Sequence, residues 1–267
     1  MKLIVKKALP TPAYDALRFL RRWRDYPFIA SFLFDSALRA SFRQRLDMVR
    51  QAYLVSFRVP CPHRQQEVLS YSRTILSLPA SANGVLIEAG CFKGGSTAKF
   101  SLAADVANRE LVVFDSFCGI PPNDEVMDQD IYGRPAGFPE GIFCGALEEV
   151  RANVTRYGRI NRCRFIEGWF DDTMPHFHEP IAAAYIDVDL VSSTKTCLKY
   201  LFPLLQPGGI LYSQDGHLPL VIEALDDDSF WQNEVRCKKP RMVGLGESKL
   251  VKIIKDAPNG ESATSDG

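Results

Sequence analysis

The chain has 267 residues, 46% hydrophobic and 24% charged, enough apolar material for one good core; its zero formal net charge gives no global electrostatic argument for a nucleic-acid partner. Seven cysteines, with no C-x-x-C pair and several inside apolar segments, point to a reducing cytoplasm rather than a disulfide scaffold or a zinc site. No run of eighteen apolar residues exists, so no spanning helix is expected, and no secretory signal is read at the N-terminus.

Residues 1–80 read as a helical extension. From Met1 to Pro60 twelve Lys/Arg stand against four acids, and residues 12–58 carry Tyr14, Phe19, Trp23, Phe28, Phe32, Phe34 and Phe42 at helical spacing. An Arg/aromatic mixture either packs on a core or a second subunit, with arginines on the wet face, or touches nucleic acid or an anionic membrane surface. The first reading is the plainer one and suits a homodimer contact. A further helix is expected at 64–78, before Pro79 and the turn Ser81-Ala-Asn-Gly84.

From residue 81 to 256 strands and helices alternate, the pattern of a parallel sheet covered on both faces. Strands are expected at 85–89, 111–115, 162–167, 181–187 and 209–214, and helices at 96–107, 143–157, 193–205 and 218–226. Pro207-Gly208-Gly209 reads as a helix stop before the fifth strand. The segments 240–245 and 249–255, around Gly246-Glu-Ser, read as a terminal hairpin that adds an antiparallel strand at the sheet edge. The tail 257–267 is small and polar, and disorder is expected there.

The order of parts between Val85 and Asp115 is that of a nucleotide-binding βαβ unit. One apolar run ends at Glu88, a glycine turn follows, a helix opens at Ser96, and a second apolar run ends at Asp115. The glycine order is Glu88-x-Gly90-x-x-x-Gly94-Gly95, not the G-x-G-x-x-G that seats a pyrophosphate. An acid before the first glycine repels phosphate and attracts an ammonium. Asp115 lies where a carboxylate accepts from both ribose hydroxyls. An adenosine joined to an amino-acid end, without phosphate, is S-adenosylmethionine. The competing reading is a βα turn with no ligand.

Two more acids end later strands, Asp187 in Ala184-Tyr-Ile-Asp-Val-Asp189 and Asp215 in Leu211-Tyr-Ser-Gln-Asp215. Asp187, Gln214 and Asp215 make an all-oxygen set suited to Mg²⁺. The bland alternative is a helix cap at Asp187 and a turn at Asp215. Asp189 is a further candidate base. His217 is either a general base or an ordinary loop residue. The long loop 116–140 reads as a lid over the ligand. Within it Phe117 either stacks on adenine or packs. Trp169, after Gly168, either walls the cofactor pocket or joins the core. The candidate cofactor residues are Glu88, Gly90, Phe92, Gly94, Ser96, Asp115, Ser116, Phe117, Gly168, Trp169 and Asp187.

At these residues the chain resembles the macrocin O-methyltransferase (TylF/MycF-type) family. The resemblance runs through Glu88-x-Gly90-x-x-x-Gly94-Gly95, Asp115-Ser-Phe-x-Gly-Ile-Pro-Pro, Gly141-x-Phe-x-Gly145, Glu167-Gly-Trp-Phe-x-Asp-Thr173, Ile186-Asp-x-Asp-Leu-x-x-Ser-Thr194 and Pro207-Gly-Gly. It implies a class I methyltransferase fold, Rossmann-like, with seven strands and an antiparallel terminal strand. It also implies methyl transfer from S-adenosylmethionine to a hydroxyl of a small molecule, such as a sugar of a natural product, often assisted by Mg²⁺. The chain departs from the family at Gln214-Asp215-Gly216, where Asp-Asp-Tyr is usual, and at Val191, where an aromatic is usual. An amide in place of a carboxylate removes one charged ligand from the expected Mg²⁺ site. The remaining alternatives are a nitrogen or carbon acceptor, or a non-catalytic S-adenosylmethionine-binding protein.

Overall fold

The computed structural model describes residues 11–79 and 82–256. The tail expected to be disordered, 257–267, lies outside the described residues. The chain divides into two compact units, one formed by the chain up to Ser77 with Phe92–Arg109 and Gly145–Cys163, the other by Leu78–Cys91, Glu110–Cys144 and the chain from Arg164.

The first unit is helical: α1 Thr11–Leu20, α2 Tyr26–Leu33, α3 Phe42–Arg58, α4 Gln65–Ser77, α5 Gly95–Val106 and α6 Leu147–Tyr157. α3 starts where Ser41 and Gln44 cap each other. The Gln44 amide N–H donates to Ser41 Oγ at 3.3 Å, and the Ser41 N–H donates to Gln44 Oε1 at 2.8 Å. α5 is buried from Gly95 to Ala104, which explains its run of Gly, Ser, Thr and Ala. The Tyr71 ring of α4 meets Phe100 of α5 edge to face at 4.8 Å. α6 begins at Leu147 rather than 143, because Gly141 and Phe143 have positive φ (78° and 58°) that no right-handed helix accommodates.

The second unit is built on a seven-stranded sheet of order β3-β2-β1-β4-β5-β7-β6. The strands are β1 Val85–Ala89, β2 Leu111–Asp115, β3 Cys163–Glu167, β4 Ile181–Ile186, β5 Leu205–Ser213, β6 Arg241–Val243 and β7 Val251–Ile254. β1 pairs in parallel with β2 and β4, and β4 with β5, while β7 runs antiparallel to both β5 and β6. The central strands read VLIEA, LVVFD and IAAAYI because both faces are buried, so hydrophobicity does not alternate. The expected antiparallel strand is present, inserted one place in from the edge.

β5 begins at Leu205, four residues before the expected start, and runs through Pro207-Gly208-Gly209. The helix before it, α7 (Val191–Leu201), ends correspondingly early. The Pro-Gly-Gly stretch is held in the sheet from the other side: the Gly208 N–H donates to Lys255 O at 2.9 Å, and the Lys255 N–H to Gly209 O at 3.0 Å. A register shift between Ile181 and Ala183 absorbs the irregularity. α8 (Pro219–Asp226) follows β5. Beyond it lies Trp231, the largest fully buried side chain, with its indole N–H donating to Leu225 O at 2.8 Å and its ring edge-on to Phe202 and Phe230. Truncating it to alanine costs about 3–5 kcal/mol. Since β1, β2, β4 and β5 run side by side in parallel, their carboxyl ends share one edge, where open α/β sheets bind ligands.

Candidate functional site

Three loops that leave this edge hold non-glycine residues at positive φ: Phe92 (50°) after β1, Phe117 and Phe143 (both 58°) after β2 and Asp189 (61°) after β4. Each such residue costs roughly 1–2 kcal/mol, a strain typical of functional loops.

Glu88 is fully buried near the end of β1. An ionised carboxylate is stable there only with charge or hydrogen-bond compensation. Gly90 follows with φ 82°, and a Cβ on it would stand 2.0 Å from the Asp187 carbonyl oxygen. Only glycine lets the first loop pass this close to the end of β4. Asp115, half-buried at the end of β2, accepts from the Cys91 N–H at Oδ2 and from the Phe117 N–H at Oδ1, both at 2.7 Å. The carboxylate thereby organises both loops and still has lone pairs for a ligand. Ser116 is engaged locally, its Oγ donating to Gly119 O at 3.2 Å and accepting from the Cys118 N–H at 3.1 Å. Phe117 is 5% exposed and lies 6.4 Å from the Phe165 ring, so it packs. The Gly168 N–H donates to Asp115 O at 3.1 Å, and Trp169 stands 38% exposed, which removes it from the core. In the helical unit, Gly94 (φ 75°) precedes the first turn of α5 and Ser96 is buried in it. The Thr97 hydroxyl beside Ser96 is buried without a hydrogen-bond partner.

The strand-end acids converge. Asp187, Asp189 and Asp215 each offer an oxygen within 4.8 Å of the others. Asp215 is wholly buried; its Oδ2 accepts from the Val188 and Asp189 N–H groups, both at 3.0 Å, and its Oδ1 has no partner. Burial and then the nearby Asp187 charge push its pKa up to about 7, against a lowering by Lys249 and the two backbone N–H groups. Three carboxylates sharing one site, one with an open buried oxygen, are a hard-cation donor set.

Gln214 directly precedes Asp215. Its amide oxygen accepts from the buried Tyr185 hydroxyl, and the third oxygen comes from Asp189.

His217 is buried, with Nδ1 unpartnered and its ring stacked at 6.3 Å on Tyr132 of the long loop. Burial, then the positive charge of Lys249, lowers its pKa to about 4, although Asp130 and Asp187 pull the other way. The imidazole is therefore neutral at physiological pH.

The sequence reading missed Glu125. This half-buried residue accepts from the Val191 and Ser192 N–H groups at 2.7 and 2.9 Å, so the long loop caps α7 just beyond the acidic trio. An acid in a Gly/Pro-rich loop carries no signal of a cap 66 residues away.

Residues 65–236, more than half of the chain, match the family model described as macrocin-O-methyltransferase (TylF). Over 152 residues, 54% of the chain, it is 36% identical to the 8-demethyl-8-(2,3-dimethoxy-alpha-L-rhamnosyl)-tetracenomycin-C 4'-O-methyltransferase of Streptomyces olivaceus. Over 156 residues, also 54% of the chain, it is 33% identical to the mycinamicin III 3''-O-methyltransferase of Micromonospora griseorubida. The matches span 57% and 59% of those two relatives. Among solved structures, the O-methyltransferase NovP superposes with a TM-score of 0.64 at 20% identity, over 80% of this chain and 99% of that one. That likeness shows the fold.

Proposed function

The chain belongs to the macrocin-O-methyltransferase (TylF) family, and from that premise we propose that it transfers the methyl group of S-adenosylmethionine to a hydroxyl of a small molecule, a sugar or glycosylated natural product. The observation that carries the proposal is the grouping of Glu88, Asp115 and the Asp187/Asp189/Asp215 trio at the carboxyl ends of neighbouring parallel strands. The named relatives are O-methyltransferases, one of them acting on a rhamnosyl tetracenomycin.

The methyl donor brings an electrophilic carbon on a sulfonium, so the protein's part is chiefly alignment and removal of one proton. Glu88 binds the ammonium of the amino-acid end, and Asp115 the ribose hydroxyls. Gly90, Phe92, Gly94, Ser96, Ser116, Phe117, Gly168 and Trp169 complete the candidate cofactor residues, Trp169 as an exposed wall and Phe117 through packing. Asp187, Asp189 and Asp215 fit a divalent cation such as Mg²⁺, which when bound lowers the pKa of a coordinated hydroxyl. Without a metal, Asp189 is the candidate proton acceptor. His217 is neutral and is the second candidate acceptor, its basicity reduced by burial.

The N-terminal extension, helical over much of its described residues 11–77, is read as a variable part of the chain that supplies a homodimer contact. Trp23 (64% exposed) and Phe34 (74%) support the contact. Among the described residues no helix is long and apolar enough to cross a membrane. Seven free cysteines agree with a cytoplasmic setting.

The test uses methyl-labelled S-adenosylmethionine and a panel of rhamnosides and macrolide glycosides, with and without Mg²⁺. Label on a hydroxyl oxygen is the expected result. Label only on amine or carbon acceptors would replace the proposal with the corresponding N- or C-methyltransferase.

A further inference from the structure

A second charged cluster lies in the helical unit. Cys61 sits in the turn Pro60-Cys61-Pro62-His63 between α3 and α4, with Sγ 3.4 Å from His63 Nδ1 and 3.3 Å from Lys99 Nζ. Lys99 belongs to α5 and is 1% exposed, and His63 is also buried. A buried ammonium needs a compensating negative charge, and its hydrogen bond goes to the sulfur. A neutral thiol leaves that charge standing; a thiolate cancels it.

The first turn of α5 closes the site. A Cβ added to Gly95 would lie 2.7 Å from Cys61 Cβ and 3.3 Å from its sulfur. The sulfur thus also meets the positive end of α5, which favours an anion. Cys61 itself is half-buried.

We propose that Cys61 is a thiolate modification site for small electrophiles, peroxides included, with His63 and Lys99 holding the anion. With a peroxide, the sulfur attacks one oxygen, an S–O bond forms, the O–O bond breaks and hydroxide leaves. Sulfur is oxidised by two electrons to the sulfenic acid and the peroxide is reduced. Electrostatics agree: burial alone raises the thiol, but the His63 hydrogen bond and the charges of His63 and Lys99 outweigh it and bring it to about 6.

The experiment measures iodoacetamide alkylation of the intact protein by peptide mass spectrometry from pH 5 to 9, with N-acetylcysteine as reference. A thiolate formed near pH 6 gains only about 1.1-fold in rate between pH 7 and 8, whereas a thiol at about 8.5 gains about eightfold. The flat profile is expected for Cys61, becoming steep in urea and in Lys99→Met and His63→Gln variants. Dimedone should trap a sulfenic acid at Cys61 after dilute hydrogen peroxide. A wild-type profile as steep as that of N-acetylcysteine would overturn the proposal, as would a Cys61 that stays unlabelled while Cys118 reacts. The wild-type profile decides the matter even if a variant fails to fold.

Discussion

The acidic trio and the Cys61 cluster both place ionisable groups out of water, and they do so with opposite arithmetic. The trio gathers three groups of one sign, and the result is a raised Asp215. The Cys61 cluster sets one sulfur between an ammonium and an imidazole, and the result is a lowered thiol. Burial penalises charge in both, so the sign of the neighbours decides the direction. Like charges leave a site that calls for a cation or a proton, while opposite charges close on themselves. Their supports differ too. The trio hangs on backbone, through two N–H groups on Asp215 and the Gly90–Asp187 approach; the thiolate hangs on side chains.

The largest expected effect breaks the trio itself. A double Asp187→Ala, Asp215→Ala variant should lose methyl transfer by about 10²–10⁴-fold, read as S-adenosylhomocysteine formed per minute. Unchanged turnover would remove the trio from the chemistry. Next is its frame. Gly90→Ala drives a Cβ into the Asp187 carbonyl and strains φ 82°, and should lower stability by roughly 4 kcal/mol in urea melts.

The pH dependence sharpens the contrast in sign. Folded Asp215 keeps its proton up to about 7, whereas the unfolded chain releases it near 3.9. Its contribution to stability is therefore full below about 4 and lost as pH rises through 7. Relative to Asp215→Asn, the wild type should lose on the order of 2 kcal/mol between pH 5 and 8 in cation-free buffer. His217 acts the other way, its contribution being present above about 6.5 and lost as pH falls through about 4. It titrates in both proteins and cancels from the difference. A difference that grew in favour of the wild type with rising pH would mean that Asp215 is compensated in a way the trio does not provide. The smallest effect tests the cap: Glu125→Gln should cost about 1 kcal/mol and speed proteolysis within the 116–140 loop.

Much of the sheet was legible because strands buried on both faces read as unbroken apolar runs, and Glu88, Asp115 and Asp187 mark where those runs meet the ligand edge. β5 was less legible. Pro207-Gly-Gly has the composition of a stop, and only pairing with the chain around Lys255 keeps it in the sheet. Gln214 enters the expected metal set by adjacency to Asp215, and no local pattern announces that its amide oxygen accepts from Tyr185. Asp189 completes the set through a positive φ and the Asp215 carboxylate, both products of the fold. The Cys61–Lys99 contact joins residues 38 apart, and no local pattern announces it.

The central claim is that Glu88 and Asp115 hold S-adenosylmethionine, and calorimetric titration with S-adenosylhomocysteine tests it most directly. The wild type should bind in the micromolar range, and folded Glu88→Gln and Asp115→Asn variants at least about tenfold more weakly, as expected when one charge-assisted hydrogen-bonding group is lost. No binding by the wild type, or equal binding by all three proteins, would contradict it.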